Sequence, residues 1–158
     1  MTSYPRRRLV YTLTLAAGAA LFAITAFALG TADDAKAMLD KTVTALKADK
    51  AKTLDEINNA QNGFLQGDIY PFCFNLSDGK VVAVANPNAK AFIGKDIRTV
   101  KDPTGDAYGA RLYAAAKAGE VNEVSYKFAK PGPDKTPVPK VSFISAAADL
   151  GRGVGYYK

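Results

Sequence analysis

Any chemistry in this chain falls to tyrosine, lysine, arginine and carboxylate side chains, because it contains no histidine and Cys73 is its only cysteine. Without an imidazole there is no general base for a serine or cysteine nucleophile. One thiol leaves no disulfide partner and too few ligands for a structural zinc site. The many Asp and Glu form no pair that spacing alone marks as catalytic, so the residue types argue against an enzyme and imply no cofactor. They favour recognition instead, since a small-molecule site needs apolar walls and a few converging polar groups. Tyr70, Tyr108 and Tyr126 each bring an aromatic face and a hydroxyl that wants a partner when buried. Lys140 enters an apolar run after a proline-rich stretch, where a lone ammonium can reach inward to a carboxylate; an ordinary surface lysine fits the same pattern. Arg111 offers a two-pronged fork for an acid, or equally a solvated helix face. Phe72, Cys73 and Phe74 read as core.

Other apparent motifs carry little. Gly151-Arg152-Gly153-Val154-Gly155 has the look of a nucleotide loop, but no helix follows it. Asp102 and Asp106 lack the dense carboxylate spacing of a calcium loop. Asn75-Leu76-Ser77 fits a glycosylation sequon on the shoulder of a strand.

The residues that must position these groups begin after an address. Arg6, Arg7 and Arg8 precede an uncharged stretch rich in Leu, Ala, Ile and Phe that runs to Gly30, and Ala26-Phe27-Ala28 is a small-x-small cleavage pattern. Residues 1–30 are therefore expected to be a secretory signal peptide, with an uncleaved membrane anchor as the alternative. The arginines only loosely resemble a twin-arginine signal. Setting them aside lowers the formal charge from +6 to +3, too little for a nucleic-acid surface. The expected location is periplasmic.

Residues 33–158 read as one domain. Ala35, Met38, Leu39, Val43 and Leu46 recur at helical spacing over 33–50, with Asp33 and Asp34 at the positive end. Thr53 and Glu56 fit the capping box of a second, short helix that Gly63 and Gly67 close off. Alternation of Tyr70, Phe72, Phe74 and Leu76 marks a strand over 69–76, and Ser77-Asp78-Gly79-Lys80 turns it into a partner at 81–85. A helix is expected over 107–118, closed by Gly119. Three further strands are expected over 121–129, 140–147 and 153–157, with Pro131 to Pro139 as an exposed connection before the second of them. The sum is an α+β domain on a five-stranded antiparallel sheet.

The order of these elements carries a resemblance. Gly67-Asp68-Ile69-Tyr70, Asp78-Gly79-Lys80-Val81, Asn86-Pro87-Asn88, Phe92-Ile93-Gly94-Lys95 and Lys101-Asp102-Pro103-Thr104-Gly105 are followed by the helix carrying Tyr108. Val124-Ser125-Tyr126-Lys127-Phe128, Pro139-Lys140-Val141-Ser142-Phe143 and Gly153-Val154-Gly155-Tyr156-Tyr157 close the series, which spans about residues 34–157. It resembles the bacterial single Cache domains of type 2. That resemblance implies a PAS-like extracytoplasmic sensor fold with a long N-terminal helix. It implies a small ligand, often a short organic acid, and adds Phe143, where the family commonly has Tyr, and Lys140 to the candidate pocket. Asn86 stands where the family often has His. Such domains usually sit in chemoreceptors or sensor kinases; here no output domain follows, so the expectation is a free-standing module. It would present its ligand to a separate membrane sensor kinase, chemoreceptor or transporter. The rival expectation is a ligand-free accessory protein that docks by its N-terminal helix.

Overall fold

The computed structural model describes residues 29–158; the expected export segment lies outside the described residues, save its last two positions. Five strands form one antiparallel sheet: β1 (Tyr70–Asn75), β2 (Val81–Val84), β3 (Asn122–Ala129), β4 (Pro137–Ala147) and β5 (Leu150–Tyr157). Their order across the sheet is β2-β1-β5-β4-β3, which puts the last strand in the middle.

One face of the sheet carries α1 (Ala32–Ala48), whose Lys36 ammonium lies 5.1 Å above the Phe143 ring. α1 forms where the apolar spacing placed it, and buries Ala35, Met38, Leu39, Thr42 and Leu46. Thr42 takes the inward position expected of Val43, its hydroxyl made tolerable by donating to the Met38 carbonyl at 2.8 Å. A capping box does form, but at α1: the Thr31 side chain accepts from the Asp34 N–H, and the Asp34 carboxylate accepts from the Thr31 N–H.

α2 (Lys50–Asn58) starts earlier than its sequence suggests. Asp49 ends α1 and at once caps α2, accepting from the Lys52 N–H at 3.0 Å. Thr53 therefore sits inside the helix, 3% exposed, and is not its cap. Asp49→Ala is expected to cost about 1 kcal/mol, read as a lower urea midpoint with an unchanged slope. α2 also covers the exposed edge of β2. The Asn58 side-chain amide donates to the Val82 carbonyl and its oxygen accepts from the Val84 N–H, which closes a sheet edge open to strand pairing.

The opposite face carries α3 (Tyr108–Ala115) and two 3-10 turns, Pro87–Phe92 and Ile97–Thr99, where the sequence suggested only loop. α3 ends at Ala115, and Ala116 rather than Gly119 is its C-cap. β4 begins at Pro137, three residues before the expected start. Pro137 and Pro139 pair with Ala129 and Lys127 of β3, and β5 reaches only as far as Lys140. Their missing N–H groups thus fall past the end of the β4–β5 ladder, beside which the Lys158 N–H still donates to the Pro139 carbonyl at 3.0 Å, and the end of a ladder is where proline fits a strand. β5 begins at Leu150 rather than Gly153. Among the described residues no helix is long and apolar enough to cross a membrane.

Candidate ligand-binding site

Strand alternation sorts side chains onto the two faces of the sheet. On the α3 face stand Tyr70, Phe72 and Phe74 of β1, Tyr126 and Phe128 of β3, and Lys140, Ser142 and Ile144 of β4. The central strand, β5, contributes Gly151, Gly153 and Gly155 to this face. A Cβ at Gly151 would lie 2.2 Å from the Phe74 ring, and one at Gly153 would lie 2.4 Å from both Phe72 and Ile144. At Gly155 it would meet the Ser142 hydroxyl at 2.3 Å and the Lys140 Cε at 2.4 Å. The middle of the sheet is bare on this side, so side chains from both neighbouring strands lie across it. The glycine run that looked like a nucleotide loop is this bare strand.

Lys140 uses that space. Its side chain is 1% exposed, and its Nζ lies 3.8 Å from the Tyr70 ring centroid, 4.7 Å from that of Tyr157 and 6.0 Å from that of Phe128. Ring faces attract a cation, most strongly when water is excluded. They do not accept its N–H groups as an oxygen would, and Nζ has no hydrogen-bond partner among the described residues. Burial pushes the Lys140 pKa well below the usual lysine value, and only the field of Asp68 opposes this. Asp68 is itself buried. Its Oδ1 accepts from the Gly30 N–H at 2.8 Å, while its Oδ2 has no partner.

The tyrosine hydroxyls around the cage are mostly committed. The Asn86 amide donates to the Tyr70 hydroxyl at 2.9 Å and to the Ala129 carbonyl at 3.2 Å. Tyr157 donates to the same Ala129 carbonyl at 2.8 Å. With its proton so used, Tyr157 accepts from Tyr70 across 3.1 Å. The Tyr126 and Ser142 hydroxyls share one bond of 2.9 Å, in which either can donate. That pair keeps one proton to offer, beside the free ammonium of Lys140. Burial raises the pKa values of Tyr70, Tyr108, Tyr126 and Tyr157, so all four stay neutral donors at ordinary pH.

An apolar cavity of about 50 Å³ adjoins this group. Tyr70, Tyr126, Phe128 and Val84 of the sheet and Tyr108 and Leu112 of α3 are among the residues that line it. Tyr108 is held by stacking on Tyr126, with centroids 4.5 Å apart and planes at 6°. A space large enough for a few waters is of the scale of a small ligand. Among the described residues no cluster of His, Cys, Asp and Glu could hold a metal.

The structure brings Tyr70, Tyr108, Tyr126 and Lys140 together and leaves two candidates elsewhere. Phe143 projects from the other face of β4, against α1 and Tyr156, because it is three positions from Lys140 and strand alternation inverts it. Arg111 lies on the exposed side of α3, paired with Asp106 and donating to the Ser125 carbonyl. Sequence reasoning missed Ser142, Asn86 and Tyr157. The phase of β4 held one signal, since Ser142 is two residues from Lys140 and must share its face.

A five-stranded antiparallel sheet with its last strand in the middle, helices on both faces and a small cavity under one of them is the architecture of the PAS-like class. The Cache domain family's sequence profile, of type 2, matches residues 19–155, and the chain belongs to that family. Among solved structures it is similar to a methyl-accepting chemotaxis protein from Vibrio parahaemolyticus, with a TM-score of 0.64 and 24% identity over 79% of this chain and 86% of that one. It is also similar to the periplasmic sensor domain of a chemotaxis protein, with a TM-score of 0.58 and 19% identity over 79% and 88% of the two chains. A third is a Cache chemosensory domain whose structure describes carboxylic acid recognition, with a TM-score of 0.56 and 25% identity over 79% and 86%. No curated protein matches the chain.

Proposed function

We propose that this chain is an extracytoplasmic sensor module that binds a small organic acid in the cavity beside Lys140. The bound state would be passed to a membrane partner of the chemoreceptor, sensor-kinase or transporter kind. One observation carries the reading: the Lys140 ammonium is buried without a hydrogen-bond partner among the described residues, against the ring of Tyr70, which also lines the cavity. A lone buried cation is costly unless an anion completes it, and a carboxylate entering the cavity would do so. The Tyr126–Ser142 pair supplies a second donor for the same carboxylate. Apolar walls beyond it suit a short alkyl chain. The similarity to a domain that recognises carboxylic acids supports this reading, and the chemotaxis sensor domains support its extracytoplasmic place. We assign residues 33–158 to the sensing domain and residues 1–30 to the export signal or anchor. The role is recognition rather than catalysis.

Thermal unfolding with acetate, propionate, lactate, pyruvate and succinate, and with neutral amides as controls, tests this. Acid at a hundred times its dissociation constant adds about 2.7 kcal/mol to the folded state, a rise of roughly 5–15 °C for a domain of this size. The shift has a pH dependence of known sign. Burial holds the Lys140 pKa down and a carboxylate at Nζ pushes it up, so binding takes up a proton and affinity falls as pH rises. No shift with any acid would overturn the reading in favour of a docking protein.

A further inference from the structure

We propose that the groove outside the cavity is an anion-collecting vestibule, through which acids reach Lys140; this rests on the acid-binding reading above. The groove measures about 380 Å³ and is lined by Lys101, Lys127 and Lys135, with Asp102 as its carboxylate. Phe92, Tyr108 and Phe128 line both this groove and the deep cavity, so they form the wall between them.

Three features give the groove its charge. Its lysines come from three separate segments: the loop after the second 3-10 turn, strand β3, and the connection between β3 and β4. Among the described residues none of the three ammonium groups makes an ion pair. The cations that do pair lie elsewhere, as Lys50–Asp149, Lys52–Glu56, Lys80–Asp78, Arg98–Asp96 and Arg111–Asp106. Asp102 offsets one of these three charges, kept ionised by its hydrogen bonds and by the field of Lys127, and the groove is left net positive; its Oδ1 is turned into its own loop. There it accepts from the Thr104 N–H at 2.8 Å, the Thr104 hydroxyl at 2.6 Å and the Asp106 N–H at 3.1 Å. Lys127 is exposed on β3 and lines the groove together with Phe128.

A concave site with one sign of charge and low-dielectric walls focuses field into its mouth. For an anion this raises the local concentration at the aromatic wall, and hence the rate of capture, by a factor that salt removes. The inner site does the holding: Lys140 and the Tyr126–Ser142 pair grip the carboxylate. The groove lysines therefore act on association and leave dissociation alone.

The test is line-shape analysis of carboxyl-13C-labelled acetate, propionate and pyruvate with the full chain at low and moderate salt. A triple variant, Lys101→Gln, Lys127→Gln and Lys135→Gln, is expected to bind about five- to tenfold more slowly at low salt. Its dissociation rate is expected to be unchanged and its salt dependence to be largely lost. Binding of any of these acids with the association rate and salt slope intact in the variant overturns the vestibule and leaves the acid-binding reading standing. A faster dissociation rate with unchanged association also overturns it, since the lysines would then belong to the bound site. No exchange with any of the acids in the wild-type protein overturns both.

Discussion

Lys140→Met raises the unfolding midpoint of the ligand-free protein by about 5–10 °C and abolishes every acid-induced shift. The side chain is 1% exposed and its Nζ has no hydrogen-bond partner. Three ring faces return on the order of 2 kcal/mol to a desolvated cation, but removing an ammonium from water costs several. Asp68 opposes this only through its field, with no hydrogen bond to Nζ. Methionine follows the path of the lysine stem and fills the same apolar space without a charge. Replacing whole buried ion pairs by apolar residues of similar volume gains about 1–4 kcal/mol; here one unpaired ammonium is removed, and a gain of about 2 kcal/mol gives the stated shift for a domain of this size. The pH dependence separates this cause from a change in packing. The unfolded chain keeps the Lys140 proton up to about pH 10.5, whereas the fold releases it at lower pH. Between those limits the unfolded state binds more protons, so wild-type stability rises with pH, and the penalty is fully present below the folded pKa. The variant lacks that slope. A midpoint that falls, or a slope that persists, would refute this account of the buried charge.

Gly109→Ala is expected to destabilise the fold by more than about 3 kcal/mol, which chemical denaturation measures directly. The position looks innocuous: a glycine at the second residue of a helix, where alanine normally gains stability. Here α3 lies so close to the 3-10 turn Ile97–Thr99 that a Cβ would stand 1.9 Å from the Ile97 carbonyl oxygen and 3.0 Å from that of Val100. Backbone cannot rotate away as a side chain can. The Gly109 N–H also donates to the Val100 carbonyl at 3.2 Å, so pushing α3 outward breaks that bond as well. Tyr108 precedes Gly109, and its stack on Tyr126 at 4.5 Å depends on the same approach. Loss of acid binding is therefore expected even where the variant still folds. An alanine variant of wild-type stability would mean that the helix and the turn are free to part.

Much of this architecture was legible in the chain because its signals are local. Alternation of Tyr70, Phe72 and Phe74 marks a half-buried strand, and the stripe of Ala35, Met38, Leu39 and Leu46 marks a helix face. Boundaries failed where a competing local group acted first. Asp49 captured the start of α2 ahead of Thr53, and two prolines were absorbed into β4 because β5 stops short of them. The site was legible only in part. Lys140 and the tyrosines declare themselves by type and position, but which face each occupies is settled by strand phase. Phase removed Phe143 from the cavity and brought in Ser142. Asn86 joins Tyr70 and Ala129 across 16 and 43 residues of chain, a connection that no window of sequence contains.

The bare face of β5 also fixes the order in which this site can change by descent. Gly155 meets the Lys140 stem, Gly153 meets Phe72 and Ile144, and Gly151 meets Phe74. A larger residue at any of these glycines is admissible only after its opposite number has shrunk or moved. Inherited changes on the central strand and its neighbours must then come in pairs, the neighbour first. A lineage that keeps the lysine keeps Gly155 with it, and the road to a different ligand begins on β1 or β4.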